Sequence, residues 1–91
     1  MAIAILFDIP GATRHQYDEV MQKLEAAGQK APEGRLYHVS GPTQDGWRFV
    51  DVWHSQEQFE RFGQTLMPLL QEVGYPPFEP ELWPCHNVIV D

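Results

Sequence analysis

Arg35-Leu-Tyr-His-Val-Ser-Gly-Pro-Thr-Gln-Asp-Gly-Trp-Arg-Phe-Val-Asp-Val-Trp-His-Ser-Gln-Glu-Gln-Phe-Glu-Arg-Phe62 decides the fold. Arg35–Ser40 and Trp47–Trp53 alternate in character with period two, the mark of strands. The stretch between them, Gly41 to Gly46, is turn chemistry, and Asp45-Gly46 can accept a positive φ. An even-numbered loop would put Leu36, His38, Ser40, Trp47, Phe49, Asp51 and Trp53 on one face. Tyr37, Val39, Arg48, Val50 and Val52 would share the other; a bulge would swap the partners. Ser55 with Gln58 then forms a helix cap, and Phe59, Phe62, Leu66, Leu69, Leu70 and Val73 follow at helical spacing. Pro68 inside that run predicts a kink or a detached last turn, and Gly74 ends it.

Upstream, Ala2–Ile9 is apolar on both faces and reads as a central strand. Pro10-Gly11 stops it. Thr13 and Gln16 make a second capping box, and Tyr17, Val20, Met21, Leu24 and Ala27 form one stripe closed by Gly28. Downstream, Phe78–Val90 reads as a fourth strand, confined to a sheet edge by Pro80 and Pro84. The order is βαββαβ. That order predicts an α+β, ferredoxin-like fold: a four-stranded antiparallel sheet with two helices on one face. The apolar second face of the inner strands predicts a cover, and a second copy of the chain would supply it.

The chain has 91 residues, which predicts one domain, 1–91. A single cysteine, Cys85, excludes a disulfide framework. A net charge of −7, with no cluster of Lys or Arg, argues against nucleic acid and anionic membrane as partners. No apolar run approaches the roughly 20 residues of a membrane span, and Met1–Asp8 lacks the basic flank of a signal peptide. The expected location is the cytoplasm.

Asp51 stands out because a carboxylate between Val50 and Val52 requires a partner. Arg48, Arg35 or a backbone donor would hold it structurally; left in a pocket, it could move a proton. His38 and His86 fall on the two edge strands and would meet only across a dimer interface, where they could also transfer protons. Tyr37, Trp47, Phe49, Trp53, Met67 and Trp83 would either bind a flat apolar ligand or fill the core and interface. Cys85-His86 is a poor metal site, because neighbouring strand residues face opposite ways and no further ligand is suitably spaced. The expected metal content is none.

With these elements in place, the chain resembles the dimeric α/β-barrel superfamily, within it the antibiotic biosynthesis monooxygenase-like group. The resemblance spans the whole length. It rests on element order, size and the segment Phe49-Val50-Asp51-Val52-Trp53-His54-Ser55-Gln56-Glu57-Gln58-Phe59, where Asp51 and Trp53 match the acid–x–aromatic end of a strand. Many members carry a histidine nine positions after that aromatic; here the position is Phe62. The resemblance implies a homodimeric barrel and a cofactor-independent monooxygenase acting on a flat, apolar or aromatic small molecule in a sheet–helix cleft. His38 or Asp51 would be the base. Tyr37, Trp47, Phe49, Trp53, Phe62 and Met67 would shape the pocket, and Arg48 or His86 would stabilise negative charge. Other readings stay open: a non-catalytic binding or structural homodimer, a cofactor-free isomerase or lyase and, ranked below these, a haem-degrading enzyme.

Overall fold

The computed structural model describes residues 1–90. Its elements are β1 (Ile3–Pro10), α1 (Arg14–Ala26), β2 (Arg35–Pro42), β3 (Gly46–Trp53), α2 (Gln56–Val73) and β4 (Glu81–Pro84). The strands form one antiparallel sheet in the order β2-β3-β1-β4, so β1 and β3 are central. Each helix connects two parallel strands separated by one intervening strand. This is the ferredoxin-like α+β arrangement.

Alternation on β1 sends Ile3, Ile5, Phe7 and Ile9 to the helical side. There they pack with Trp47, Phe49 and Trp53 of β3, Val20 and Leu24 of α1, and Phe62, Leu66 and Leu70 of α2. The four-residue spacing of Phe62, Leu66 and Leu70 keeps one stripe of α2 on the sheet. α1 begins with a complete capping box: Thr13 Oγ1 accepts from the Gln16 backbone N–H at 3.1 Å, and Gln16 Oε1 accepts from the Thr13 N–H at 3.0 Å. At α2 the Ser55 hydroxyl accepts from Gln58 N–H, but the Gln58 side chain takes the Ser55 hydroxyl proton and leaves the backbone alone. α2 closes at Gly74, whose φ of +85° only glycine adopts cheaply.

The structure corrects several expectations. α2 runs through Pro68 without a break. Its buried residues hold the sheet on both sides of the proline, and the position whose carbonyl loses its partner, Gln64, is exposed to water. The hairpin strands extend to Pro42 and from Gly46, and Thr43 N–H donates to Gly46 O at 2.9 Å. Gly46 has no positive φ. It is needed for another reason: a Cβ there would lie 2.2 Å from the Ile9 carbonyl oxygen. A bulge between Arg35 and Tyr37 puts Arg35 opposite Trp53 and displaces Leu36, expected on the His38 face, towards solvent. From His38 on, the predicted grouping of faces matches the register. β4 is only Glu81–Pro84, not Phe78–Val90, because it fits between two prolines that cannot donate to a ladder. One further bond, Cys85 N–H to Ala2 O, extends it.

The face turned from the helices carries Ala4, Leu6, Val50 and Val52, with Tyr37, Val39 and Trp83 exposed around them. Val39 is 64% exposed. With the segment from Pro84 to Ile89, this face forms an open groove of about 660 Å³.

Candidate functional site

The β2–β3 register sets His38 directly opposite Asp51 on the helical side of the sheet. Asp51 is 2% exposed, and it is the one buried charged residue among those described. His38 Nδ1 lies 2.5 Å from Asp51 Oδ1, and Trp53 Nε1–H donates to Asp51 Oδ2 at 3.2 Å. The first turn of α1 lowers Tyr17 onto this pair, with its hydroxyl 2.5 Å from His38 Nε2.

The donors assign themselves. Indole N–H only donates, so Oδ2 accepts from Trp53. When Asp51 is ionised, Oδ1 accepts from His38 Nδ1–H and Nε2 is left to accept the Tyr17 hydroxyl. The result is a directed chain, Tyr17 to His38 to Asp51. A proton leaving Tyr17 would make an imidazolium whose charge Asp51 already balances, the logic of a base oriented by an acid. The Tyr17 ring lies nearly parallel to His38 at 5.9 Å and tilts against Trp47 at 5.4 Å.

The chain ends at a cavity between sheet and helices. Tyr17, His38, Asp51 and Arg35 form its polar lining, and Phe62 and Tyr75 are among the other walls. Its volume is about 10 Å³, room for one water-sized body. Tyr75 has its phenol pushed well above the usual range by burial, then by the neighbouring Tyr17 and Asp18. Arg35 donates to the Lys30 carbonyl at 3.1 Å and sits 5.9 Å from the Phe62 ring centroid.

His38, Asp51, Phe49 and Phe62 therefore meet around one cavity, Trp53 supports it from below, and Trp47 flanks it. The other named residues do not join them. His86 lies past β4 in the groove on the opposite face. His38 turns inward and both its ring nitrogens have partners within the chain, Tyr17 and Asp51, so neither is left for His86. Tyr37 lines that same far groove. Arg48 pairs with Asp8 at 3.2 Å on the far face, which raises its guanidinium pKa; it is not near the base. Met67 lines a separate shallow groove beside Tyr75 and Phe78. Neither arginine nor a backbone donor holds Asp51; a histidine and an indole do. Tyr17 and Tyr75 are site residues that the sequence reading missed. The available signal was one hydroxyl on the otherwise apolar stripe of α1. Among the described residues, no group of three or more His, Cys, Asp or Glu side chains could hold a metal ion, and no helix is long and apolar enough to cross a membrane.

Neither a protein-family model nor a curated protein matches the chain. Solved structures do. SnoaB of Streptomyces nogalater, described as a cofactor-independent oxygenase, is 16% identical with a TM-score of 0.63, covering 99% of this chain and 96% of that one. The ActVA-Orf6 monooxygenase of Streptomyces coelicolor, solved with nanaomycin D, is 13% identical with a TM-score of 0.62 over 99% and 91% of the two chains. A conserved protein of Methanosarcina mazei Go1 is 13% identical with a TM-score of 0.63 over 92% of each. The fold is thus one shared with antibiotic biosynthesis monooxygenases, as the sequence resemblance implied. At these identities the likeness is one of fold.

Proposed function

We propose that this protein, as one domain of residues 1–91, is a cofactor-independent monooxygenase-like enzyme for a flat, largely apolar phenol. The observation that carries the proposal is the Tyr17–His38–Asp51 chain ending in a cavity between sheet and helices. The fold it shares with SnoaB supports the same reading.

In the proposed reaction the phenol donates to the Tyr17 oxygen, Tyr17 passes its own proton to His38 Nε2, and Asp51 balances the imidazolium. The phenolate is electron-rich at a ring carbon, which forms a C–O bond to dioxygen. The resulting peroxide takes back the proton through Tyr17. Loss of water, with the hydrogen from that carbon, leaves a quinone carbonyl. Phenol and dioxygen give quinone and water, so atoms and electrons balance. A ring system exceeds the present cavity of about 10 Å³, so entry requires wall side chains to move. A second copy is the proposed cover for the exposed sheet face.

Oxygen uptake in the presence of bicyclic and tricyclic phenols tests the proposal. Asp51→Asn should still bind a phenol but turn over about 100- to 10,000-fold more slowly, the usual worth of a positioned base. Phenol binding with no oxygen uptake by the native protein would refute the proposal and identify a carrier.

A further inference from the structure

Trp47 Nε1 is buried and has no hydrogen-bond partner, alone among the described side-chain nitrogens and oxygens. The residue is 9% exposed. An orphaned buried donor of this kind is destabilising, because it gives up its bond to water and gains none in return. The other buried indole, Trp53, meets a carboxylate at 3.2 Å, so the fold does satisfy an indole where a protein acceptor is at hand. Trp47 stands two residues from Phe49 on the same face of β3, and Phe49 lines the cavity. Its ring is 5.4 Å from that of Tyr17. Trp47 does not line the cavity as it stands, and a ligand that displaces the Tyr17 ring would come within reach of the Trp47 ring.

We infer that Trp47 is a specificity-determining residue whose indole N–H takes a second oxygen of the ligand. The inference rests on the proposed function, and it adds that the preferred substrate carries two oxygen groups: the hydroxyl that meets Tyr17 and an acceptor that meets Trp47. A ligand with one oxygen leaves the indole as unsatisfied as it is in the free protein.

Two probes separate these cases: 1-naphthol, with one oxygen, and 5-hydroxy-1-tetralone, which adds a carbonyl on the second ring. In proton–nitrogen spectra, the tetralone should move the Trp47 indole resonance downfield and bind about tenfold more tightly, the worth of one hydrogen bond. Naphthol should leave that resonance in place. Trp47→Phe should cut the tenfold advantage to within about twofold. If the tetralone shifts Tyr17 and Trp53 but not Trp47, or if Trp47→Phe keeps the advantage, the inference is overturned while the proposed function stands. If neither probe perturbs Tyr17, both fall. Should Trp47→Phe fail to fold, the native spectra decide alone.

Discussion

Replacing Asp51 by Asn removes one charge and rewrites one proton position. The carboxylate, 2% exposed, accepts two hydrogen bonds, from His38 and from Trp53. Asn offers one oxygen and one NH2. Trp53 can only donate, so the oxygen goes to Trp53 and the NH2 faces His38 Nδ1. His38 must then carry its proton on Nε2, and Tyr17 loses its acceptor. Bonds to a charged group are worth about 1.5–3 kcal/mol each and neutral ones about 0.5–1.5. Two such downgrades, partly offset by no longer burying an ion, cost about 2 kcal/mol. For a domain of this size that lowers Tm by about 8–16 °C. Asp51→Leu leaves the Trp53 N–H without an acceptor and His38 Nδ1 without a partner, and should cost more, about 3–5 kcal/mol. Thermal and urea unfolding followed by circular dichroism give both values. An order of stability other than native, then Asn, then Leu would refute the reasoning, because it would mean that burial of the carboxylate costs more than its bonds return.

Further outcomes are as direct. Gly46→Ala places a methyl 2.2 Å from the Ile9 oxygen and 2.8 Å from Pro10 Cα. Since backbone must yield, a loss of about 3 kcal/mol in urea unfolding is expected, and an unchanged midpoint would contradict the close approach. Tyr75 has its pKa raised above the ordinary 10.0, so its contribution to stability is complete below about pH 10. It is lost as pH climbs from there towards the folded value, because the unfolded chain ionises first. Tyr75→Phe should flatten that decline, and in ultraviolet titration it should remove one phenol that ionises above the usual range. Val52→Glu should convert a dimer to a monomer in sedimentation; a native protein already at the mass of one chain would dispose of the proposed sheet-to-sheet pairing.

Much of this fold could be read from short-range chemistry. Thr13 and Gln16 marked a helix start because a hydroxyl and an amide three residues apart satisfy donors that nothing else reaches. The faces of the hairpin follow from period two, which puts His38 and Asp51 on one side. What could not be read was set by contacts distant in sequence. The bulge that displaces Leu36 depends on how β2 meets β3, not on Leu36 itself. The inward turn of His38 depends on Tyr17, 21 residues away on α1. Pro68 was read as a breaker from its own chemistry, whereas Phe62, Leu66 and Leu70 hold the helix to the sheet on both sides of it.

The placement of β1 between β3 and β4 bears on how the chain is made. β1 leaves the ribosome before the strands it pairs with, and in the register Ile3 to Trp53 and Ile3 to Pro84 its partners follow 50 and 81 residues later. The β2–β3 hairpin closes locally and can form at once. β1 must wait for Trp53, and its other edge stays open until Pro84 has cleared the exit tunnel. Until α2 arrives, Ile3, Ile5, Phe7 and Ile9 are uncovered on a strand with unpaired edges, the kind of segment that associates with other nascent chains. Synthesis paused before α2 would thus hold the chain in its most aggregation-prone form; after α2 only the edge that the four-residue β4 takes is left open.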